Sequence, residues 1–195
     1  MTLADRRDVE RDVYRPAEDS ALLANAAITV VDGDDLVLDV GTGSGFVAER
    51  MTEETGARVI GCDLNPYACR RASERGVPVV RGNLTEPFAD NAFDVVTFNP
   101  PYLPTDPDAE WDDWVEVALS GGESGRAVVD PFLASVCRVL APEGVVLLLV
   151  SSLSGVDEVV NLAAEMGFSA VALRDESFPF ETLTILKLIP PREPF

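Results

Sequence analysis

The chain has 195 residues, of which 47% are hydrophobic, 34 are acidic, 15 are basic, three are Cys and none is His. That length and apolar content suit one domain (1–195, with 1–13 a polar arm) and a full core. No apolar run reaches the roughly 20 residues of a membrane span, and the start, MTLADRRDVERD, is charged throughout, so a soluble cytoplasmic protein is expected. Without His or paired C-x-x-C spacing, the residues argue against a metal site and against Ser-His or Cys-His nucleophilic catalysis; Cys62, Cys69 and Cys137 read as small buried residues.

The net charge of −19 opposes direct binding of nucleic acid. Lys187 is the only Lys, the other basic residues being Arg. Acid-rich, Lys-poor composition resembles that of proteins from salt-loving archaea, where dense salt screens self-repulsion. On that reading the charge reports the host's cytoplasm, which weakens the case against nucleic acid without removing it.

After the polar arm, EDSALLANAAI predicts a helix with Leu22, Leu23, Ala26 and Ala27 on one face. Strand-like and helix-like segments then alternate. Strands are expected at 36–41, 58–64, 77–83, 93–99 and 144–152, and helices at 45–55, 66–76, 124–140 and about 155–167. Strands 170–177 and 181–188 close the chain as a hairpin. The alternation predicts a doubly wound α/β sheet. Residues 103–123 read as one long irregular stretch whose Trp111 and Trp114 point to docking against something, the rival reading being an acidic surface loop.

DVGTGSG, residues 39–45, ends the first strand and opens a helix. Glycines there let a ligand approach the backbone and the helix-start N–H groups. Such a turn could serve NAD, FAD or S-adenosylmethionine. Asp63 ends the second strand, where a carboxylate can accept both ribose hydroxyls; a structural helix cap is the rival reading. Asn83 and Leu84, in GNL, end the third strand, where an adenine would lie. The D-x-G-x-G-x-G spacing favours S-adenosylmethionine. Asp39 could meet its ammonium group, whereas it would repel a pyrophosphate.

FNPPY, residues 98–102, ends the fourth strand beside the first. The prolines stop the ladder and stiffen the backbone. The Asn99 carboxamide and the Pro100 carbonyl can each accept a hydrogen bond from a planar NH₂ group, and Tyr102 can stack on it. Such a site aligns a nitrogen for in-line methyl displacement without a nucleophilic side chain.

DVGTGSG, CDLNPYA, FNPPY and the upstream VYRPAEDSALL together resemble the HemK-type protein glutamine N5-methyltransferases over Val13 to about Leu188. SGGESGRAVVDPFL and ETLTILKL are similar to the short archaeal and eukaryotic branch. The resemblance implies a class I S-adenosylmethionine-dependent fold, a seven-stranded sheet in the order 3-2-1-4-5-7-6 with a C-terminal antiparallel hairpin. It implies methylation of the Gln in the Gly-Gly-Gln loop of a class I translation release factor, and a small zinc-binding activator subunit as heterodimer partner. It places Ser20, Asp39, Gly41, Gly43, Gly45, Asp63, Asn83, Leu84 and Asn99 at the cofactor, and Asn99, Pro100, Pro101 and Tyr102 around the substrate amide. Asn83 stands where many members carry Asp, and Arg15 where many carry an acidic or other residue. In that sheet order the third strand is outer, and its Val77, Val79 and Val80 invite pairing with a partner, against a rival reading as core packing. Competing functions are an adenine-N6 or guanine-N2 methyltransferase on RNA or DNA, a lysine methyltransferase, and a non-catalytic cofactor-binding scaffold.

Overall fold

The computed structural model describes residue 13, residues 18–104 and residues 114–191. The helices are α1 (Glu18–Ala27), α2 (Phe46–Thr55), α3 (Pro66–Glu74), α4 (Trp114–Leu119), α5 (Val129–Val139) and α6 (Val156–Glu165); the strands are β1 (Leu36–Val40), β2 (Arg58–Asp63), β3 (Val79–Arg81), β4 (Phe93–Phe98), β5 (Leu140–Ser151), β6 (Ser169–Ser177) and β7 (Thr182–Ile189). They form one seven-stranded sheet in the order β3-β2-β1-β4-β5-β7-β6. The first five strands run parallel, and β7 is antiparallel to both β5 and β6. This is the expected class I methyltransferase architecture.

Alternation along the strands builds a core on each face of the sheet. Leu38, Val40, Val96, Phe98, Val146, Leu148 and Val150 pack with α5 and α6 on one face. Val37, Val59, Val95, Leu147 and Leu149 pack with α1, α2 and Ala72 of α3 on the other. Parallel strands covered on both faces must be apolar at nearly every position, which is why LVLDV and GVVLLLVS were legible as strands.

The differences from expectation are local. The helix expected at 124–140 begins only at Val129, because Gly122 and Gly125 adopt φ of 69° and 71° and fold the preceding residues into a turn. β5 begins at Leu140, which pairs with Phe93 ahead of a register shift that accommodates Pro142. The third strand, expected over 77–83, is three residues long, and the irregular stretch contains α4. Arg15 and Trp111 lie outside the described residues, as does most of the polar arm.

Candidate functional site

The strand order reverses between β1 and β4, and at such a switch point the loops leaving the carboxyl ends diverge to opposite faces. A cavity of about 270 Å³ occupies that crevice, lined by the turns after β1 and β2, by 82–84, by FNPPY, and by Trp114, Ala118 and Leu119 of α4. Of the expected site residues, all but Gly45 line it.

Asp39 is the most constrained group there. It is 2% exposed, and its register neighbour on β4 is Thr97. Thr97 Oγ1 donates to one carboxylate oxygen at 2.8 Å and Thr42 Oγ1 to the other at 2.7 Å. Among the described residues no basic side chain is paired with it. Burial, opposed by those hydroxyls and assisted by the nearby charge of Asp63, raises its pKa from 3.8 to about 6. A buried carboxylate with fixed hydroxyl partners and no cation is suited to a ligand that brings one, such as the ammonium group of S-adenosylmethionine.

Asp63 ties the turn after β1 to α3. Gly43 N–H donates to one oxygen at 2.8 Å and Asn65 N–H to the other at 2.9 Å. Asn65 in turn caps α3, accepting from Tyr67 N–H at 2.9 Å. The cap of α3 is thus Asn65 and not Asp63, which instead ties two turns together. Each oxygen already holds one backbone N–H, and each keeps lone-pair capacity for a hydroxyl facing the cavity. Burial raises its pKa, and the backbone donors offset part of that rise.

Gly45 does other work. It heads α2 at φ 81°, and a Cβ there would lie 2.9 Å from the Cα of Ala72. The residue permits α2 and α3 to touch and does not face the cavity. Ser20 lies buried at the start of α1, with its N–H and its hydroxyl both donating to Asp19 Oδ1. Asn83 Nδ2 donates to Glu86, which leaves its side-chain oxygen with acceptor capacity toward the cavity. Leu84 holds φ of 47°, an uncommon conformation for a side chain of that size and one that clusters at ligand sites.

FNPPY is clamped at both ends. Phe98 packs on Phe132 with ring centroids 4.5 Å apart. Beyond Tyr102, Leu103 N–H donates to the Leu119 carbonyl at 3.0 Å and Gly121 N–H to the Leu103 carbonyl at 2.9 Å, so α4 folds back beside the motif. Asn99 Nδ2 donates to Asp19 Oδ2 at 3.1 Å, while Asn99 Oδ1 is buried without a hydrogen-bond partner. Buried polar atoms are seldom left unpaired, so an orphan acceptor in a cleft points to a donor supplied from outside.

The sequence reading did not single out Asp19 or α4. Asp19 looked like an ordinary acidic residue in a first helical turn, although an acid set in an otherwise apolar helix face was a readable signal. Of the three cysteines only Cys62 is buried as expected, Cys69 being half-buried and Cys137 exposed; burial pushes the Cys62 thiol up to about 12, and the Cys69 thiol is raised mainly by burial and next by Asp63.

Comparison with known proteins agrees with this fold. Residues 38–110 match the family described as "Methyltransferase domain". The chain is 35% identical over 181 residues to MJ0928 of Methanocaldococcus jannaschii, provisionally named a protein N5-glutamine methyltransferase, covering 90% of each chain. It is 31% identical over 192 residues to methyltransferase HEMK2 of Homo sapiens, covering 90% of this chain and 89% of that one. Its fold matches a chain of the E. cuniculi Mtq2–Trm112 complex, responsible for methylation of the eRF1 translation termination factor, with a TM-score of 0.77, 30% identity, and coverage of 92% and 99%. Near full-length likeness to these proteins shows that the chain belongs to the family of HemK-type protein glutamine N5-methyltransferases.

Proposed function

We propose that this chain methylates the side-chain nitrogen of the Gln in the Gly-Gly-Gln loop of a class I translation release factor, as the E. cuniculi complex methylates eRF1. The cofactor is S-adenosylmethionine. When bound it supplies an electrophilic methyl group, so that an N–C bond forms as an S–C bond breaks and an amide proton leaves to solvent. The observation that carries the reading is the buried, unpartnered Oδ1 of Asn99 in the same cavity as Asp39 and Asp63. That oxygen and the Pro100 carbonyl accept the two N–H groups of a planar amide, Pro101 stiffens the backbone behind them, and Tyr102 offers a face for stacking. Asp39 holds the ammonium group, Asp63 the ribose, and Ser20, Gly41, Gly43, Asn83 and Leu84 complete the cofactor's surroundings. Catalysis is alignment of the nitrogen, with no nucleophilic side chain.

A small zinc-binding activator is the proposed partner, the E. cuniculi relative being found with Trm112. The surface assigned to it is the outer edge of β3, the terminal strand of the sheet. Val77 is buried and Val79 is half-buried in the core, while Val80 on the same strand is 37% exposed. An apolar strand edge of this kind suits pairing with another chain. The proposed setting is a salt-rich cytoplasm, from the net charge of −19.

The described cavity lining carries three Asp and neither Lys nor Arg, which disfavours a polyanionic substrate. The test is transfer of label from methyl-labelled cofactor to three acceptors: the host release factor, host RNA and a lysine-rich peptide. Label confined to the release factor, and lost when its Gly-Gly-Gln glutamine is replaced, supports the reading. Label in RNA or on lysine overturns it.

A further inference from the structure

We infer that Asp19 is the positioning residue that turns the Asn99 carboxamide so that its oxygen, and not its NH₂ group, is presented to the substrate; this rests on the proposed role of Asn99 as amide holder. An Asn side chain presents an acceptor on one side and a donor on the other, and a half-turn about its last bond exchanges them at little steric cost. A substrate amide with two N–H groups needs the acceptor. With the NH₂ group facing it, donor would meet donor. Nothing in Asn99 itself makes that choice. Asp19 is buried, at 5% exposure, and lines the same cavity. Its carboxylate is acceptor-only when ionised, and its Oδ2 takes the Asn99 Nδ2–H at 3.1 Å. Its other oxygen is held by Ser20 N–H at 2.6 Å and by the Ser20 hydroxyl at 3.2 Å, which fixes the carboxylate on the first turn of α1. The Asn99 NH₂ group is thereby committed, and Oδ1 is left buried and unpaired.

Asp19→Asn keeps shape and removes this control. The N–H of Ser20 retains the remaining oxygen as its acceptor, so the new NH₂ group faces Asn99. Asn99 then turns to accept it and presents its own NH₂ group to the cavity. The reciprocal double variant, Asp19→Asn with Asn99→Asp, restores the pairing, because the new amide donates to one oxygen of Asp at 99 and leaves the other as acceptor.

The test compares Asn99→Ala, Asp19→Asn and the double variant on full-length protein. It measures kcat and KM for the release factor, calorimetric affinity for the demethylated cofactor, and exchange protection of the Asn99 side-chain amide in ¹⁵N-Asn-labelled protein. The expected results are an inactive Asn99→Ala, a kcat about 10²–10³-fold lower in Asp19→Asn with cofactor affinity unchanged, and recovery by about tenfold or more in the double variant. Asn99 amide protons are expected to be protected in the parent and to change in Asp19→Asn. An Asp19→Asn enzyme with parental kcat beside an inactive Asn99→Ala overturns the role of Asp19 alone. An active Asn99→Ala overturns the substrate-site reading and this inference with it. Cofactor binding lost in step with rate, without rescue by the double variant, makes Asp19 a fold support and also overturns the inference.

Discussion

At the scale of single residues, the site is a set of carboxylates whose protonation decides what they can hold. Asp39 is the clearest case, its pKa raised to about 6 mainly by burial. In the free protein the folded state keeps the proton more tightly than the unfolded chain, in which the group titrates near 3.8. Its contribution to stability is therefore most favourable below that value and is lost as pH rises through 6, by on the order of 3 kcal/mol. Cofactor binding has the opposite requirement, because an ammonium group needs the carboxylate. Dissociation constants measured by calorimetry are expected to be flat above pH 7 and to rise about tenfold per pH unit below 6. Asp39→Asn should bind weakly and without that dependence. A parent protein whose affinity is constant from pH 5 to 8 would separate Asp39 from the ammonium group.

Secondary-structure elements carry the site residues into place, and two junctions can be tested. Gly125 holds φ 71°, and a Cβ there would lie 2.7 Å from the Tyr102 carbonyl oxygen. Gly125→Ala should displace the end of FNPPY, lowering kcat severalfold while cofactor affinity stays near parental; a parental rate would show that the turn does not support the motif. On the outer strand, Val80→Lys should weaken capture of the activator by about tenfold or more without lowering the melting temperature, since Val80 is partly exposed and Val79 is the residue that packs inward. Binding equal to the parent would move the partner off this edge. Much of this scaffold was legible because the chemistry is local. β1 and β5 are apolar on both faces, α3 starts with Pro66 behind an Asn cap, and FNPPY announces a strand end. What escaped depends on contacts distant in sequence. The Asp19–Asn99 bond joins residues 80 positions apart, α4 is too short at six residues for its periodicity to register, and the packing of Gly45 on Ala72 emerges only once α2 and α3 are side by side.

For the molecule as a whole, 34 acidic against 15 basic residues leave most carboxylates without a cation. Ion pairs among the described residues, such as Arg75–Glu49 and Arg138–Asp90, are surface contacts of small individual worth. Self-repulsion should dominate the salt response. The Debye length falls from about 30 Å at 0.01 M to about 3 Å at 1 M, and the melting temperature should climb across that range. A salt-independent transition would contradict adaptation to a saline cytoplasm. The architecture, a sheet whose switch point gathers three Asp and FNPPY around one cavity, serves a single central claim: this chain methylates a glutamine side-chain nitrogen. The most direct measurement is tandem mass spectrometry of the host release factor after incubation with the purified chain, its activator and S-adenosylmethionine. One added methyl, localised to the side chain of the Gly-Gly-Gln glutamine and absent with Asn99→Ala, is the predicted result. A methyl on lysine or on no residue of that loop, with the activator present and cofactor bound, would contradict the claim.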